Sequence, residues 1–274
     1  MKGRDPRAPP IIADKRYESP SAFTPESLLR QARRQKGLAE RALPSVCVLD
    51  PDGDIVRRLK ADGRARREEG WACYHTELYR FADGDLELGL VGCAVGASFA
   101  VLIAEQLFAS GCRVLLSMTS AGQITPLHPP PYFILIDKAL RDEGTSYHYL
   151  PPSEFSAAPA KLIDLLDGAF DRLRAPVLRG ATWTTDAPFR ETPEAIAAMQ
   201  ERELLAVEME AAALYAFARA QDKPVLCFAH VTNQMGRVEK DFEKGEADGT
   251  VDALALLTAT ARCFLSAGLT GFPD

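Results

Sequence analysis

Apolar residues fall into two patterns that alternate along this chain from about residue 45. Short continuous apolar runs predict buried strands, and longer runs with apolar positions three or four residues apart predict helices. Two strand-like runs between Trp71 and Gly92, joined at Asp83-Gly84, predict a hairpin. The other predicted strands are Ser45 to Leu49, Arg113 to Met118, Phe133 to Ile136, Val177 to Thr182 and Pro224 to Val231. The predicted helices of this region are Gly96 to Ser110, Ala160 to Leu173, Pro193 to Glu203, Met209 to Gln221 and Thr250 to Ala267.

Strands separated by helices predict an α/β fold, here a single domain whose central, mainly parallel or mixed sheet is flanked by helices. With 274 residues and 47% hydrophobic content, the chain can bury one sizeable core. Residues 1–44 are predicted as an N-terminal arm with a short helix, which Thr24 caps and Pro25 opens. Residues 45–274 are predicted as the main domain, and the ligands of such sheets bind beyond the carboxyl ends of strands.

Composition and charge narrow the classes of function. A net charge of −6 argues against a general nucleic-acid binder. The six cysteines have no CxxC pair and no adjacent histidine cluster, so we expect reduced core residues rather than a metal site. The first thirty residues lack the apolar run of a signal peptide, and no segment approaches the length of a membrane span. We therefore expect a cytoplasmic protein with no metal, cofactor, nucleic acid or membrane among its partners.

Two acidic residues stand at the start of the most apolar predicted helix. Glu208 and Glu210 flank Met209, and the residues that follow are apolar nearly all round, which predicts a buried helix. Burying an unpartnered carboxylate costs several kcal/mol, so at least one of the two is expected to accept hydrogen bonds. A sugar diol offers two such donors, and we assign this role to Glu210. For Glu208 we favour the simpler interpretation of a carboxylate at a helix start, stabilised by the helix dipole.

Three segments that follow predicted strands carry residues that a plain connection does not need. The small residues of Thr119 to Gly122 predict a turn whose backbone N–H groups can approach an anion, with the Ser120 hydroxyl as a further donor. After the strand that ends near Val231, Asn233 offers an amide that can donate and accept at once, which suits the edge of a heterocycle.

The third segment, Gly180 to Arg190, has two interpretations that the sequence supports about equally. In the functional one, Trp183 offers a flat face for stacking and Arg190 a planar fork of donors. In the structural one, Trp183 belongs to the core and Arg190 pairs with Glu191 or Asp186.

Four motifs in the right order resemble the nucleoside phosphorylase and nucleosidase superfamily, and its uridine phosphorylase-like members in particular. They are LVGCAVGASFAVLIAEQLFASG (Leu90 to Gly111), TSAGQI (Thr119 to Ile124), FILIDKALRDEGTSYHYLPPSEF (Phe133 to Phe155) and VEMEAAALYA (Val207 to Ala216). The resemblance runs from about Ser45 to the last helix. It implies a nucleoside phosphorylase-like catalytic domain over residues 45–274, and a homo-oligomer, a dimer or a trimer of dimers, in which neighbouring subunits complete each site.

The resemblance also implies a division of roles within the site. Glu210 would hold the ribose hydroxyls, with Met209 packed under the sugar and Glu208 beside it. Asn233 would contact the base and, with Glu210, act in catalysis; an asparagine there favours a 6-oxopurine or pyrimidine ring over adenine. The residues implied around phosphate are Ser120, Thr119, Gly53 and Arg57, and those implied around the base are Trp183, Arg190 and Asn233.

Two departures from the family pattern concern the nucleophile. An arginine-bearing segment after the first strand is replaced by the acidic run Asp50 to Asp54, and Ser117 stands where an arginine is usual. Arg57 and Arg58 are the nearest possible replacements. Phosphorolysis to free base and ribose 1-phosphate, with inorganic phosphate as co-substrate, is the favoured prediction. Hydrolysis by water and a non-catalytic nucleoside-binding module are the alternatives.

A further departure concerns the base. Uridine phosphorylases usually carry a glutamine and an arginine two residues apart after the aromatic strand. Here that loop is shortened to Ala187 to Glu191, so Arg190 can replace the arginine while the glutamine is missing. The base is left open between uracil-like and hypoxanthine-like rings.

Overall fold

The fold is built on one ten-stranded mixed sheet flanked by helices. A computed structural model describes residues 9–13, 15–235, 239 and 241–268. Its strands are β1 (Val46–Asp50), β2 (Ala65–Arg67), β3 (Tyr79–Asp83), β4 (Leu86–Gly92), β5 (Val114–Gln123), β6 (Tyr132–Asp142), β7 (Phe155–Ala157), β8 (Val177–Thr185), β9 (Ala206–Glu208) and β10 (Val225–Asn233). Its α-helices are α1 (Pro25–Lys36), α2 (Asp54–Ala61), α3 (Ala97–Ala109), α4 (Ala160–Asp164), α5 (Pro193–Glu201), α6 (Ala211–Ala220) and α7 (Thr250–Ser266).

The sheet closes on itself at one end. Its strand order is β10-β6-β8-β9-β5-β1-β4-β3-β2, β7 pairs with β6, and β10 pairs with β5 as well as with β6. Strands β10, β6, β8, β9 and β5 therefore form a ring, and β1, β4, β3 and β2 extend it as an open sheet. The directions are mixed, because β6, β8 and β9 are parallel to one another but antiparallel to β10 and β5.

Helices cover both faces of the sheet, and β1 shows why the sequence folds this way. Its residues are all buried, with Cys47 and Leu49 in the cluster that holds α3 and α6, and Val46 and Val48 in the cluster that holds α2 and α7. Alternate side chains of a strand point to opposite faces, so a strand that is buried on both faces is a continuous apolar run. Helix α6 is rich in alanine and nearly all buried, which lets it pack closely between the sheet and α3.

The α/β class, the mixed sheet and most predicted elements are confirmed, and two elements were wrong. The predicted turn at Thr119 to Gly122 is strand, since β5 continues to Gln123 and pairs there with β10 and β9. The helix predicted from Ala160 to Leu173 is regular only to Asp164. In addition, α6 begins at Ala211, which leaves Glu210 as its N-cap residue.

The N-terminal arm contacts its own chain. Thr24 caps α1 by accepting a hydrogen bond from the Ser27 N–H, as the sequence indicates, with Pro25 as the first helical residue. Before it, the Tyr17 hydroxyl donates to the Tyr147 carbonyl at 3.3 Å. Residues 1–8 and residue 14 of the arm lie outside the described ranges. None of the described helices is long and apolar enough to cross a membrane.

Candidate active site

Glu210 is the carboxylate around which the candidate site is built. Its side chain is 1% exposed at the start of α6. One oxygen, Oε1, accepts the Gly96 N–H at 2.7 Å, and Oε2 accepts the Thr119 hydroxyl at 2.8 Å. Gly96 caps α3 at φ 91°, a conformation that side-chain-bearing residues rarely adopt. The ends of α3, α6 and β5 thus meet at one carboxyl group.

The surroundings of Glu210 favour its protonated form. Burial raises its pKa to about 8, the neighbouring Glu208 and Asp52 charges add to this, and the bonds from Gly96 and Thr119 oppose it. Each carboxylate oxygen has two lone pairs, so each retains one acceptor position after these two bonds. Further donors, such as two vicinal hydroxyls, would stabilise the ionised form and lower the pKa.

Glu208 is buried behind Glu210 and accepts hydrogen bonds at the start of α6. It is the last residue of β9 and 3% exposed, and it accepts from the hydroxyls of Thr182 and Thr184. Its Oε2 accepts hydrogen bonds from the N–H groups of Glu210 and Ala211, each at 2.7 Å. These N–H groups stand at the start of α6 and have no partner within the helix. These contacts fit the helix-start interpretation, and burial raises the pKa of this carboxyl as well. Contact of Glu208 with ribose stays a prediction.

Thr119 and Ser120 join Glu210 to the acidic loop after β1. While the Thr119 hydroxyl donates to Glu210, the next backbone N–H, that of Ser120, donates to Oδ2 of Asp52 at 2.9 Å. The two carboxylates therefore accept hydrogen bonds from adjacent residues of β5. The N–H that the sequence indicates as an anion donor is held by a carboxylate of the chain itself.

Asp50 and Gly53 shape the acidic loop. Asp50 is 2% exposed and its Oδ2 accepts the Val56 N–H at 2.9 Å, at the start of α2. Burial, together with the charges of Asp52 and Asp54, raises the pKa of Asp50 to about 7. Gly53 has φ 75°, and a Cβ there would lie 2.6 Å from the Cys93 sulfur. Only glycine fits this position without a shift of the backbone.

The cations nearest the loop are already paired. Arg57 donates to the Asp52 carbonyl at 2.8 Å and forms an ion pair with Asp54. Arg58, the other replacement considered from the sequence, pairs with Asp62 at 2.7 Å. The Lys244 ammonium lies 2.6 Å from Oδ2 of Asp54. A phosphate role for Arg57 stays a prediction, and it would require this arginine to leave Asp54.

A small cavity of about 20 Å³ lies beside the acidic loop, and Glu210 is not among the residues that line it. Its polar lining comes from the three aspartates of the loop, from Thr119 and Ser120, from His230 and from Asp248, Gly249 and Thr250 at the start of α7. His230 stacks on Phe133 with ring centroids 4.7 Å apart, and burial lowers its pKa to about 4, so it is neutral near pH 7. A cavity of this size holds about one water molecule.

Ser117 is a buried serine close to this region, and the acidic residues here raise the question of a metal site. Ser117, which stands where the family pattern has an arginine, is 1% exposed, and its hydroxyl has no hydrogen-bond partner among the described residues. Within the same ranges, no group of three or more His, Cys, Asp or Glu side chains is arranged to hold a metal ion. The acidic residues around the cavity are held by backbone N–H groups and by Lys244 instead.

Trp183 and Arg190 do not lie together at an open site. Trp183 is 3% exposed in a small cluster with Leu140 and Val207, and its indole N–H donates to Asp142 at 2.9 Å. This favours the structural interpretation of its ring, and stacking against a base stays a prediction. Arg190 is exposed at the end of a short 3-10 turn.

Asn233 lies at the end of β10, next to β5. It pairs with Gly122 after a bulge, and its Oδ1 accepts the Met235 N–H at 3.0 Å. A Cβ on Gly122 would lie 2.0 Å from the Met235 sulfur, so the glycine lets Met235 approach. Met209 is half-buried between the two glutamates. Asn233 thus lies on the same end of β5 as Thr119 and Ser120, while residues 236–238 and 240 lie outside the described residues.

Three contributors to this site carry little signal in the sequence. Gly96 is predicted only as a helix start, although a glycine before an apolar helix signals a positive φ. His230 lies in a predicted buried strand, and a lone histidine in such a run carries no signal of its own. Thr184 belongs to the segment Gly180 to Arg190, and its bond to Glu208 joins residues 24 apart in sequence.

Comparisons with known proteins show the family and the fold of this chain. Residues 45–262 match the model of the phosphorylase superfamily. No curated protein matches the chain. Among solved structures, a uridine phosphorylase from Vibrio fischeri ES114 is similar with a TM-score of 0.64 and 17% identity, over 85% of this chain and 94% of the other. The same enzyme complexed with 6-hydroxy-1-naphthoic acid gives 0.64 and 16%, over 86% and 98%.

A purine enzyme is similar to a comparable degree. A purine nucleoside phosphorylase from Toxoplasma gondii, in complex with immucillin-H, has a TM-score of 0.68 and 15% identity, over 82% of this chain and 92% of the other. At these identities the structures show a shared fold alone. The family model spans well over half of the chain and covers β1, β5, α6 and β10, which carry the site. The chain therefore belongs to the phosphorylase superfamily.

Proposed function

We propose that this protein cleaves the N-glycosidic bond of a nucleoside. The observation that carries the proposal is the Glu210 carboxyl group, buried where α3, α6 and β5 meet and retaining an acceptor position on each oxygen. Two ribose hydroxyls would donate to those positions. Membership of the phosphorylase superfamily supports the same assignment.

The chemistry asks two things of such a site. As the bond to the base breaks, the sugar takes on positive charge, so the enzyme must hold the sugar rigidly and place negative charge nearby. Asp52 and Glu210 accept hydrogen bonds from the adjacent residues Ser120 and Thr119. Asp52, and Glu210 once donors from the sugar have lowered its pKa, would supply that charge. Asn233 at the end of β10 would contact the departing base, and an amide suits a 6-oxopurine or pyrimidine ring.

We propose water as the nucleophile. The cavity beside Ser120 is about 20 Å³, which is room for about one water molecule. A phosphate ion that used the Ser120 N–H would have to displace Asp52 from it. Carboxylates line the cavity, and a carboxylate can accept the proton of an attacking water. The products would be ribose and the free base.

Phosphorolysis, with inorganic phosphate as co-substrate, is the second candidate. It is favoured by the donors that line the cavity, namely the Ser120 N–H and the start of α7, since helix starts attract anions. Arg57 and Lys244 would then have to turn from Asp54 toward the ion. Phosphorolysis is the reaction that the sequence favours.

The test is a panel of purine and pyrimidine nucleosides incubated with the protein in phosphate-free buffer and in phosphate. Hydrolysis predicts equal release of base in both, with ribose as product. Phosphorolysis predicts release only with phosphate, with ribose 1-phosphate as product. Release of no base in either would refute nucleoside cleavage and leave a nucleoside-binding module, which direct binding of the same nucleosides would detect.

A homo-oligomer, a dimer or a trimer of dimers, is a further proposal that rests on the resemblance. Light scattering at the concentrations used for the activity assay measures it. A fully active monomer would refute it.

A further inference from the structure

We infer that Asp52 selects water over phosphate as the nucleophile. Its carboxylate accepts the Ser120 N–H, a donor that would otherwise be available to a phosphate oxygen. This inference rests on the proposed cleavage of a nucleoside and assigns the choice of nucleophile to one side chain. It draws on contacts of Asp52, on the charges around the cavity and on the size of the cavity.

Ser120 and the start of α7 form the two sides of the cavity, and we call this pair of elements the cradle. Backbone N–H groups of this kind are donors that an anion can use. The Ser120 N–H points into the cavity from β5, and the first residues of α7, Gly249 and Thr250, line the other side. The start of an α-helix carries free N–H groups and a partial positive charge. Helix α7 has 17 residues, so this partial charge is that of a full helix. The Thr250 N–H itself already donates to the Ala247 carbonyl.

The chain's own carboxylate fills this cradle. Oδ2 of Asp52 accepts the Ser120 N–H at 2.9 Å, the length of a good hydrogen bond. A phosphate oxygen that used the same donor would have to displace it. The remaining space of about 20 Å³ is enough for one water molecule.

The net charge of the surroundings also opposes a dianion. Asp50 and Asp54 line the same cavity, and His230 is neutral near pH 7 because burial lowers its pKa to about 4. Lys244 and Arg57 share the single Asp54 carboxylate as their ion-pair partner. Asp248 also lines the cavity, so four aspartates outnumber these two cations. Ser117 supplies a hydroxyl where the family pattern has an arginine.

Replacing Asp52 should therefore admit phosphate. In Asp52→Ala, the Ser120 N–H is free and one negative charge is gone. In Asp52→Asn, the acceptor for that N–H is kept and only the charge is removed. The matched control is Asp62→Ala, which removes one carboxylate from the other end of α2, where Asp62 pairs with Arg58 outside the cavity.

The experiment measures binding of inorganic phosphate by calorimetry at constant ionic strength, and then base release with product identification. We expect wild type and Asp62→Ala to bind phosphate weakly and to release ribose at a rate independent of phosphate. One charge-assisted hydrogen bond corresponds to about ten- to a hundredfold in affinity. Asp52→Ala should bind phosphate tighter by about that factor and form ribose 1-phosphate when phosphate is present, and Asp52→Asn should show a smaller gain.

The outcomes separate the inference from the function on which it rests. If no variant releases base, nucleoside cleavage is refuted, while the phosphate affinities still decide what Asp52 does. If wild type already forms ribose 1-phosphate, or if Asp52→Ala binds phosphate no better than Asp62→Ala, the role of Asp52 is refuted. If Asp52→Ala does not fold, the comparison of Asp52→Asn with Asp62→Ala decides in the same way.

Discussion

Replacing Glu210 by glutamine should weaken catalysis and, above neutral pH, stabilise the fold. Glutamine has nearly the shape of glutamate but cannot ionise. Its amide oxygen can still accept the Gly96 N–H, and the Thr119 hydroxyl can rotate to accept from the amide nitrogen. The substitution therefore isolates the charge of this side chain from its packing.

The sign of the stability effect follows from the pKa. Burial raises the pKa of Glu210 from its ordinary 4.5 to about 8, so between these values the folded state binds more protons than the unfolded state. The free energy of unfolding then falls as pH rises through that window, and is flat below and above it. At about 1.4 kcal/mol per unit, the ionised carboxylate costs the fold up to about 5 kcal/mol above pH 8. Glutamine removes this cost.

The assay is urea unfolding of both proteins at about pH 5 and about pH 9. Titrating groups that do not interact with Glu210 cancel in the difference, whereas the neighbouring Glu208 and Asp52 add their own smaller contribution. We expect the stability of Glu210→Gln relative to wild type to rise by several kcal/mol between the two pH values. In Glu210→Gln, turnover of a nucleoside should fall about ten- to a hundredfold relative to wild type for each charge-assisted bond to the sugar that is lost. In Glu210→Ala it should fall further.

Two results would refute this reasoning. An equal stability difference at both pH values would mean that the Glu210 carboxyl ionises as it does in the unfolded chain. Unchanged kcat/KM in Glu210→Gln would mean that the sugar does not use this carboxylate.

Three further predictions test other parts of the site. Asn233→Asp should raise activity on adenosine relative to inosine or uridine, because an acid can protonate an aminopurine ring; an unchanged order of preference on a nucleoside panel would show that Asn233 does not contact the base. Gly249→Ala should destabilise the fold far more than Gly37→Ala, as measured by urea unfolding. Both glycines have a positive φ, but a Cβ at Gly249 would lie 2.1 Å from the His230 ring, whereas a Cβ at Gly37 would meet open space. Gly96→Ala should cost about 1–3 kcal/mol of stability and weaken nucleoside binding, since φ is 91° and its N–H holds Glu210; normal binding by a stable variant would contradict this.

Several features of the protein follow from short stretches of sequence. Thr24 and Pro25 predict the start of α1, because an N-cap bond spans only three residues. The apolar runs predict the central strands, since burial on both faces leaves no room for polar positions. Glu210 stands out because a carboxylate beside a wholly apolar helix needs partners. The sequence therefore predicts the fold class and the central residue of the site.

What the tertiary structure decided depends on residues far apart in the chain. Thr119 to Gly122 is strand because β9 and β10 supply partners, and small residues alone favoured a turn. The directions of β6 and β8 follow from the closing of the sheet, which no local pattern encodes. The bonds from Ser120 to Asp52 and from Gly96 to Glu210 span 68 and 114 residues, respectively. Periodicity and capping act over a few residues, whereas pKa values and the filling of a cavity depend on every group that folding brings within a few ångströms.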